Sequence, residues 1–532
     1  MSTKYIFVTG GVLSGVGKGV TAASLGTVLK SRGYTVSIQK CDPYFNVDAG
    51  TLNPAEHGEV FVTKDGAETD LDLGHYERFL HTELSQKSST MSGRIYRQVI
   101  DDERAGKYLG KTVQIIPHVT NAMQEAIIDS AKGNDIHIVE VGGTVGDYES
   151  TAFIEAIRQM RTRIGAGNCM YVHVVYLPYL LASQEVKSKP AQNAVRDLRE
   201  AGIHCDLLVA RADQDVPSSA LHKLSLFSDI PLERVVAMPT VDTIYEVPLI
   251  LEQQGIGDIV CKQLSIAENK SHLEKWARLV SHIKDQSAPK VNVAIVAKYL
   301  DHTDTYTSVV EALKSAAWNA SYQLQLTWID AEKFTEKSAP TLLKDIDGIV
   351  VPGGFCARGV EGKIAAAQYA LKRKIPYLGL CLGMQVACIG AARLSGIQDA
   401  HSTEFDETTK NPVIDLMESQ KSRNELGGTM RLGNYTCHLV NGSKAQVLYA
   451  KNSIQERHRH RYEFNPKYSK HLEQQGIQIV GKNPETGLTE VIEAPSHPFY
   501  IATQYHPEFT SRPLHPHPLF KGFIEAAIRT KK

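Results

Sequence analysis

Twice along this chain of 532 residues, short runs of β-branched and other apolar residues recur with helix-length stretches between them. That rhythm restricts the possible folds more than any other feature. In the first half the runs are YIFV (5–8), TVSI (35–38), IHIVEV (136–141), MYVHVVYL (170–177), DLLVAR (206–211) and RVVAM (234–238). Helical patterns lie between several of them, as at 118–132 and 151–163. Short, continuously apolar runs read as strands covered on both faces. Their alternation with helices predicts a parallel, doubly wound sheet that binds ligands at its C-terminal strand ends. Residues 267–289 break the rhythm: Leu273, Trp276, Leu279, Val280 and Ile283 sit at helical spacing, and the segment closes on Ser-Ala-Pro. A second α/β series follows, with VNVAIVA (291–297), QLQLTWI (323–329), DGIVVPGG (347–354), IPYLGLC (375–381), IQIVG (477–481) and FYIATQYH (499–506). The expected organisation is two α/β domains, 1–266 and 290–532, joined by a linker helix at 267–289.

Composition narrows the function classes. The chain is 42% hydrophobic and 22% charged, with a net charge of −1, so no global field draws it to nucleic acid or to an anionic membrane. Anionic ligands must be held by local groups. Eight cysteines are scattered without a CxxC pair, which argues for a reducing compartment and against a disulfide scaffold or zinc ribbon. The opening MSTKYIFVTGG has no signal-peptide apolar region. The least charged long run, from Cys169, contains His173 and Pro178 and falls short of a membrane span. A cytoplasmic protein without membrane or nucleic-acid partners is expected.

The segment VTGGVLSGVGKGVTAASLG (8–26) places a strand, a glycine-rich turn and a helix in order. Such a turn lets backbone N–H groups and the helix N-terminus wrap a polyphosphate, with Lys18 adding a point charge. The usual phosphate-loop pattern is broken twice, by Val12 in place of Gly and by Gly19 in place of Ser or Thr. Losing that hydroxyl removes the customary magnesium ligand, so other oxygens must hold the metal. Asp70 and Asp72 in DGAETDLDLGHYERF (65–79) and Glu140 at the end of an apolar run are the candidates. Asp72 taken alone reads first as a solvated or capping carboxylate. Glu140 is harder to dismiss, because a carboxylate ending a buried strand needs a partner. Lys40, ending the second run, can reach the same phosphates.

In IPYLGLCLGMQVA (375–387), Cys381 lies at a strand-to-helix turn between Gly379 and Gly383. This is the arrangement of a nucleophile elbow. His506 in YHPEF (505–509) is the candidate base, with Glu508 to orient it. The glycines of VPGGF (351–355) and the N–H of Leu382 are candidates for an oxyanion hole. Cys356 and Cys388 lack such surroundings and are expected to be inert. ERHRHRYEF (456–464) suggests a nucleic-acid or metal patch, but with a neutral chain a binding-site edge or a solvated loop is the better expectation. HPHP (515–518) reads as a loop.

These stretches together resemble the CTP synthase family nearly end to end. GGVLSGVGKG, the long run 42–79, VEVGGTVGDYES, KSKPAQ (187–192) and GLCLGMQ carry the resemblance. It implies a synthase domain of the dethiobiotin-synthetase-like P-loop type and a class I glutaminase domain. The implied activity is amination of UTP to CTP, with ATP spent to phosphorylate the uracil O4 and ammonia taken from L-glutamine. The resemblance assigns Gly15, Val16, Gly17, Lys18, Gly19 and Val20 to ATP phosphates, and Pro239, Thr240 and Val241 to the adenine side. Ser14 goes to the nucleotide substrate, and Asp72 and Glu140 to Mg2+. UTP phosphates fall to Lys187, Ser188, Lys189, Pro190, Ala191 and Gln192 with Lys223. Asp147, Tyr148 and Glu149 go to CTP as feedback inhibitor. Cys381, His506 and Glu508 become the triad, and Gly354, Leu382, Gly383, Met384, Gln385, Glu404 and Arg461 hold glutamine.

GTP as activator, a homotetramer and filaments are also implied. Departures are Cys356 in the GTP lid, where Gly is expected, Cys41 where an aliphatic is usual, and an atypical PTVD at 239–242. A cobyrinate-type amidotransferase would share the loop and thiol but has no reason to carry KSKPAQ or the 42–79 block. A filament protein with vestigial sites would have no reason to keep the triad and both acids.

Overall fold

The computed structural model describes residues 2–50, 58–298, 300, 303–355, 357–416 and 430–531. Two units emerge, Met1–Asp48 with His75–Lys284, and Ala49–Gly74 with Asp285–Lys532. The second unit therefore receives chain twice. A linear cut near 266–290 has no place for residues 49–74, which precede the linker by some two hundred positions yet are built into the other unit.

In the first unit the strands β1 (Lys4–Gly10), β2 (Val36–Asp42), β3 (Ser89–Met91), β4 (Ile136–Val141), β5 (Cys169–Leu177), β6 (Leu207–Ala212) and β7 (Val235–Pro239) form one sheet. Its order is β7-β6-β5-β1-β4-β2-β3, and every pairing is parallel. Six of these strands are the six apolar runs; the short β3, STM, has too little apolar pattern to announce itself. Phe7, Val139, Tyr171, Val175 and Leu208 form part of one buried core beside the sheet. The register sets Lys40 of β2 and Val8 of β1 on either side of Glu140 in β4. Helix α1 (Lys18–Ser31) follows the glycine turn, and α2 (Asp72–Leu80) lies farther along the chain. The expected linker helix spans Glu274–Lys284, with Trp276, Leu279 and Val280 buried.

The second unit is built on a nine-stranded sheet of β8 (Lys290–Ala297), β9 (Gln323–Asp330), β10 (Gly348–Val351), β11 (Tyr377–Leu380), β12 (Arg431–Leu439), β13 (Ser453–His460), β14 (Gln478–Lys482), β15 (Thr489–Glu493) and β16 (Tyr500–Thr503). The order is β9-β8-β10-β11-β16-β15-β14-β12-β13, parallel through β16 and antiparallel beyond it. Alternation along β8 sends Ala294 and Val296 into one core and Val293 and Ile295 into the other. Helices α3 (Val360–Arg373) and α4 (Leu382–Leu394) cover the first of these faces.

The run 456–464 departs from the solvated-loop expectation. It forms most of β13 and a short strand after it, and Glu456, Arg457, His458 and His460 are all buried. The charges are paired: Arg431 Nη2 and His458 Nε2 lie 2.8 and 3.0 Å from the two oxygens of Glu490, and His458 Nδ1 is 2.8 Å from His460 Nε2. Burial lowers the pKa of both histidines. His517 of the HPHP run caps the last helix, Pro518–Thr530, accepting the N–H of Leu519. The hairpin Phe61–Val62/Glu68–Thr69 seats on this same unit. Arg457 Nη1 donates to the Val62 carbonyl at 3.1 Å, and Phe61 packs on Phe509 at 5.0 Å between ring centroids.

Candidate active sites

Cys381 stands between β11 and α4 as the N-cap of that helix, with φ 52° and ψ −103°. A non-glycine residue in this conformation is strained, and such strain persists only where the surroundings fix it. The surroundings here are tight. The Cys381 N–H donates to the Thr503 carbonyl of β16 at 2.7 Å, and a Cβ on Gly383 would meet the Val351 carbonyl at 2.1 Å. The glycine two positions after Cys381 thus lets α4 sit directly on β10.

β16 runs on through Gln504 to His506, whose N–H donates to the Arg457 carbonyl at 2.8 Å. His506 Nδ1 lies 2.7 Å from Glu508 Oε1, and its ring stacks on Phe509. Nε2 is buried without a hydrogen-bond partner among the described residues, so it is the nitrogen left for Cys381. Burial opposes the imidazolium, but the Glu508 carboxylate and the Cys381 sulfur outweigh it and raise the His506 pKa to about 10. Gln504 Nε2 donates to Cys381 Sγ at 3.7 Å, and Gln385 Nε2 donates to Gln504 Oε1 at 3.3 Å.

Two chambers open on Cys381. One is bordered by Gly353, Gly354, Phe355, Arg459, His506 and, just before the hairpin, Glu59 and Val60. The other is bordered by Gly354, Gln385, Glu404, His460, Arg461 and Tyr462, and its acid and guanidinium suit the two charged ends of an amino acid. Of the residues expected around glutamine, Gly354, Gln385, Glu404 and Arg461 are brought together there. Leu382 and Met384 send their side chains into the core, leaving backbone groups as their only means of contact. Lid position 356 lies outside the described residues.

In the first unit the turn before α1 carries positive φ at Val12 (80°), Gly15 (74°) and Gly17 (94°). Gly17 is the N-cap and offers no side-chain cap, so the first-turn N–H groups of α1 are left to a ligand. Lys18 Nζ donates to the Gly143 carbonyl at 2.7 Å, and Val145 N–H closes the far side on the Gly10 carbonyl. Lys40 Nζ lies 3.6 Å from Asp42 Oδ1 and 4.0 Å from Glu140 Oε2, and Tyr76 of α2 donates to Glu140.

Of the other expected segments, Asp147–Glu149 and KSKPAQ follow β4 and β5 in the chain, and Pro239–Val241 lies at the end of β7. KSKPAQ leads into the helix Lys189–Glu200, whose Ala194 would touch a Cβ on Gly11 at 2.4 Å. Ala191 is buried in the core. Lys187 and, more weakly, Lys223 lower the pKa of Glu185. Thr240 accepts from Arg211 Nη1 at 2.8 Å, and Arg211 lies beside Gly17. Asp147 turns back to accept the Thr144 N–H at 2.9 Å, while Tyr148 is exposed. Asp72 opens α2, its N–H held by Asp70 Oδ1. Among the described residues no three His, Cys, Asp or Glu side chains gather as a ready metal cluster.

Sequence reasoning passed over Gln504, Lys298 and Lys363. Gln504 is two residues before His506 on an extended segment, hence on the same face. Lys298 ends an apolar strand, the signal that singled out Glu140.

A strained, helix-capping thiol with an imidazole–carboxylate pair in one unit, and a glycine-rich turn opening a helix in the other, fit the class of glutamine amidotransferases that also carry a nucleotide-dependent synthase. Residues 4–266 match the family described as CTP synthase N-terminus, and residues 301–526 match glutamine amidotransferase class-I. The CTP synthase of Herpetosiphon aurantiacus is 52% identical over 529 residues, 99% of each chain. That of Trichormus variabilis is 52% identical over 531 residues, covering 99% of this chain and 97% of its own. A solved glutaminase domain of Trypanosoma brucei CTPS, with bound acivicin, is 38% identical over 45% of this chain and 94% of that one, at a TM-score of 0.43.

The chain belongs to the CTP synthase family. It is a ligase of pyrimidine biosynthesis that makes CTP from UTP, using ATP and L-glutamine. Among the described residues no helix is long and apolar enough to cross a membrane.

Proposed function

We propose that Cys381 is the nucleophile of the glutaminase reaction, His506 its acid–base partner and Glu508 the group that orients the imidazole. Thiolate attack on the glutamine amide carbon sends the carbonyl electrons to oxygen. Collapse expels ammonia, protonated by His506, and leaves a thioester that water hydrolyses. The observation that carries this reading is the Cys381 φ of 52° at the head of α4, with the His506–Glu508 pair behind it. Glu404 and Arg461 hold the amino and carboxylate ends of glutamine.

In the other unit, the N–H groups of Gly15–Val20 with Lys18 bind the ATP phosphates, and Lys40 steadies charge as the phosphoryl group moves to uracil O4. Ammonia then displaces phosphate at C4. Ser14, Lys187–Gln192 and Lys223 hold UTP, Pro239–Val241 flank the adenine, and Asp147–Glu149 serve CTP inhibition. Asp72 and Glu140 would hold Mg2+. Their hard carboxylate oxygens suit that ion, which completes its shell with phosphate and water. When bound, the ion offsets charge on the phosphates. GTP activation, a homotetramer, filaments and a cytoplasmic location complete the reading.

The test is Cys381→Ala in the full chain. CTP formation from glutamine is expected to vanish and formation from added ammonia to persist; loss of both overturns the two-site scheme.

A further inference from the structure

Two lysines are buried under the Pro352–Phe355 turn, and the reaction scheme above uses neither. Lys298, just past β8, donates to the Phe355 carbonyl. Lys363, in the first turns of α3, is fully buried and donates to the carbonyls of Pro352 at 2.9 Å and Gly353 at 3.5 Å. It makes no ion pair with a carboxylate among the described residues. A buried ammonium without an anionic partner costs several kcal/mol, so its donors must hold something that matters.

What they hold is one side of the glycine turn. The Gly353 carbonyl and the Gly354 N–H belong to one planar trans peptide and point in opposite directions. Fixing that carbonyl toward Lys363 fixes the Gly354 N–H away from it. Gly354 borders both chambers that open on Cys381, and neither its N–H nor that of Leu382 is spent on a backbone carbonyl among the described residues. The base of the lysine is equally fixed, since a Cβ on Gly362 would lie 1.7 Å from the Ala331 carbonyl.

We infer that Lys363 is a positioning residue of the amide-cleaving reaction: it grips the 352–354 turn by its carbonyls and so presents the Gly354 N–H to the oxyanion formed by Cys381 attack. The inference rests on Cys381 being the nucleophile. Burial and then Lys298 lower the Lys363 pKa, while the Cys381 sulfur raises it. A thiolate at 381 therefore favours the three-donor ammonium form.

The full-length enzyme carries the test. Lys363→Met should lose about 10²–10³ in kcat for glutamine hydrolysis, the effect of removing one oxyanion donor. Its KM for glutamine should stay within about threefold, as for a group acting only in the transition state. Ammonia-dependent CTP formation should be unchanged. Alkylation of Cys381 by iodoacetamide, which needs the thiolate but no oxyanion hole, should fall far less than kcat, any change reflecting only the lost lysine charge near the sulfur. Lys363→Gln, still able to donate to a carbonyl, should recover much of the lost kcat.

Wild-type kcat in Lys363→Met, a rise in KM alone, or alkylation slowing in step with kcat would each overturn the inference. If Lys363→Met also loses ammonia-dependent synthesis, Lys363→Gln decides on the same criteria. Should that variant lose it too, Lys363 is a packing residue and the inference falls. Glutamine-dependent synthesis surviving in Cys381→Ala would instead remove the nucleophile reading, whatever the lysine variants do.

Discussion

Around Cys381 the chain supplies its own counter-charges. The imidazole of His506 is set against Glu508, and the sulfur against His506 and Gln504, all within the core of the second unit. Around Lys18 the arrangement is the reverse. The helix end has no side-chain cap and the glycine turn is opened by three positive φ values, while the ion pairs of Lys40 with Asp42 and Glu140 lie at the ends of β2 and β4. A thiol that attacks a neutral amide must be activated by the protein, whereas a polyphosphate brings its charge with it. The first site is therefore an internal charge network and the second a set of donors.

The sharpest way to break this contrast is to remove the proposed nucleophile. Cys381→Ala should lower glutamine-dependent CTP formation by at least about 10⁴-fold, as loss of a triad nucleophile does, with ammonia-dependent formation kept. Glu508→Gln should follow, with about 10²–10⁴-fold lost from glutamine hydrolysis in a steady-state assay. Lys18→Ala should lower CTP formation by about 10²–10³-fold with either nitrogen source while glutamine hydrolysis persists, since Lys18 opens α1 at the proposed phosphate turn of the first unit. An equal loss of hydrolysis would show that the sites are not separable.

A smaller effect concerns pH. The folded pKa of His506, about 10, lies above the ordinary 6.5, so its pairing stabilises fully below about pH 6.5 and is lost as pH rises through about 10. Denaturant titrations from pH 6 to 10 should show the second unit weakening with pH, and less steeply in Glu508→Gln. A Gly383→Ala protein should lose about 3 kcal/mol in the same titrations, from the clash with the Val351 carbonyl.

The parallel strands were legible because burial on both faces leaves an unbroken apolar run, as in IHIVEV. β12 and β13 were not, because RLGNYTCHL and SIQERHRH spell charge, and charge usually means solvent. Only the pairing of Arg431, Glu490 and His458 across three strands explains their burial, and no local pattern encodes partners so far apart. The proposed triad was suggested by the glycines around Cys381 and by the order of Cys381, His506 and Glu508 along the chain. Lys363 was not, since a lysine in a helix is unremarkable until its carbonyl partners are seen. Residues 49–74 misled for a similar reason: their attachment to the second unit depends on Arg457, on Arg459, which pairs with Glu68 at 2.9 Å, and on Phe509, far down the chain.

That last attachment bears on how the protein is made. Val62 meets Arg457 across 395 positions, so at roughly 5–20 residues per second the hairpin leaves the ribosome about 20–80 seconds before its partner exists. Until then Phe61 and Val62 are apolar side chains without their cover, in a chain whose first sheet is itself completed only once β7 has been made. The glutaminase half is thus finished by a piece synthesised long before it, and a nascent chain interrupted in that interval offers chaperones a defined segment to hold.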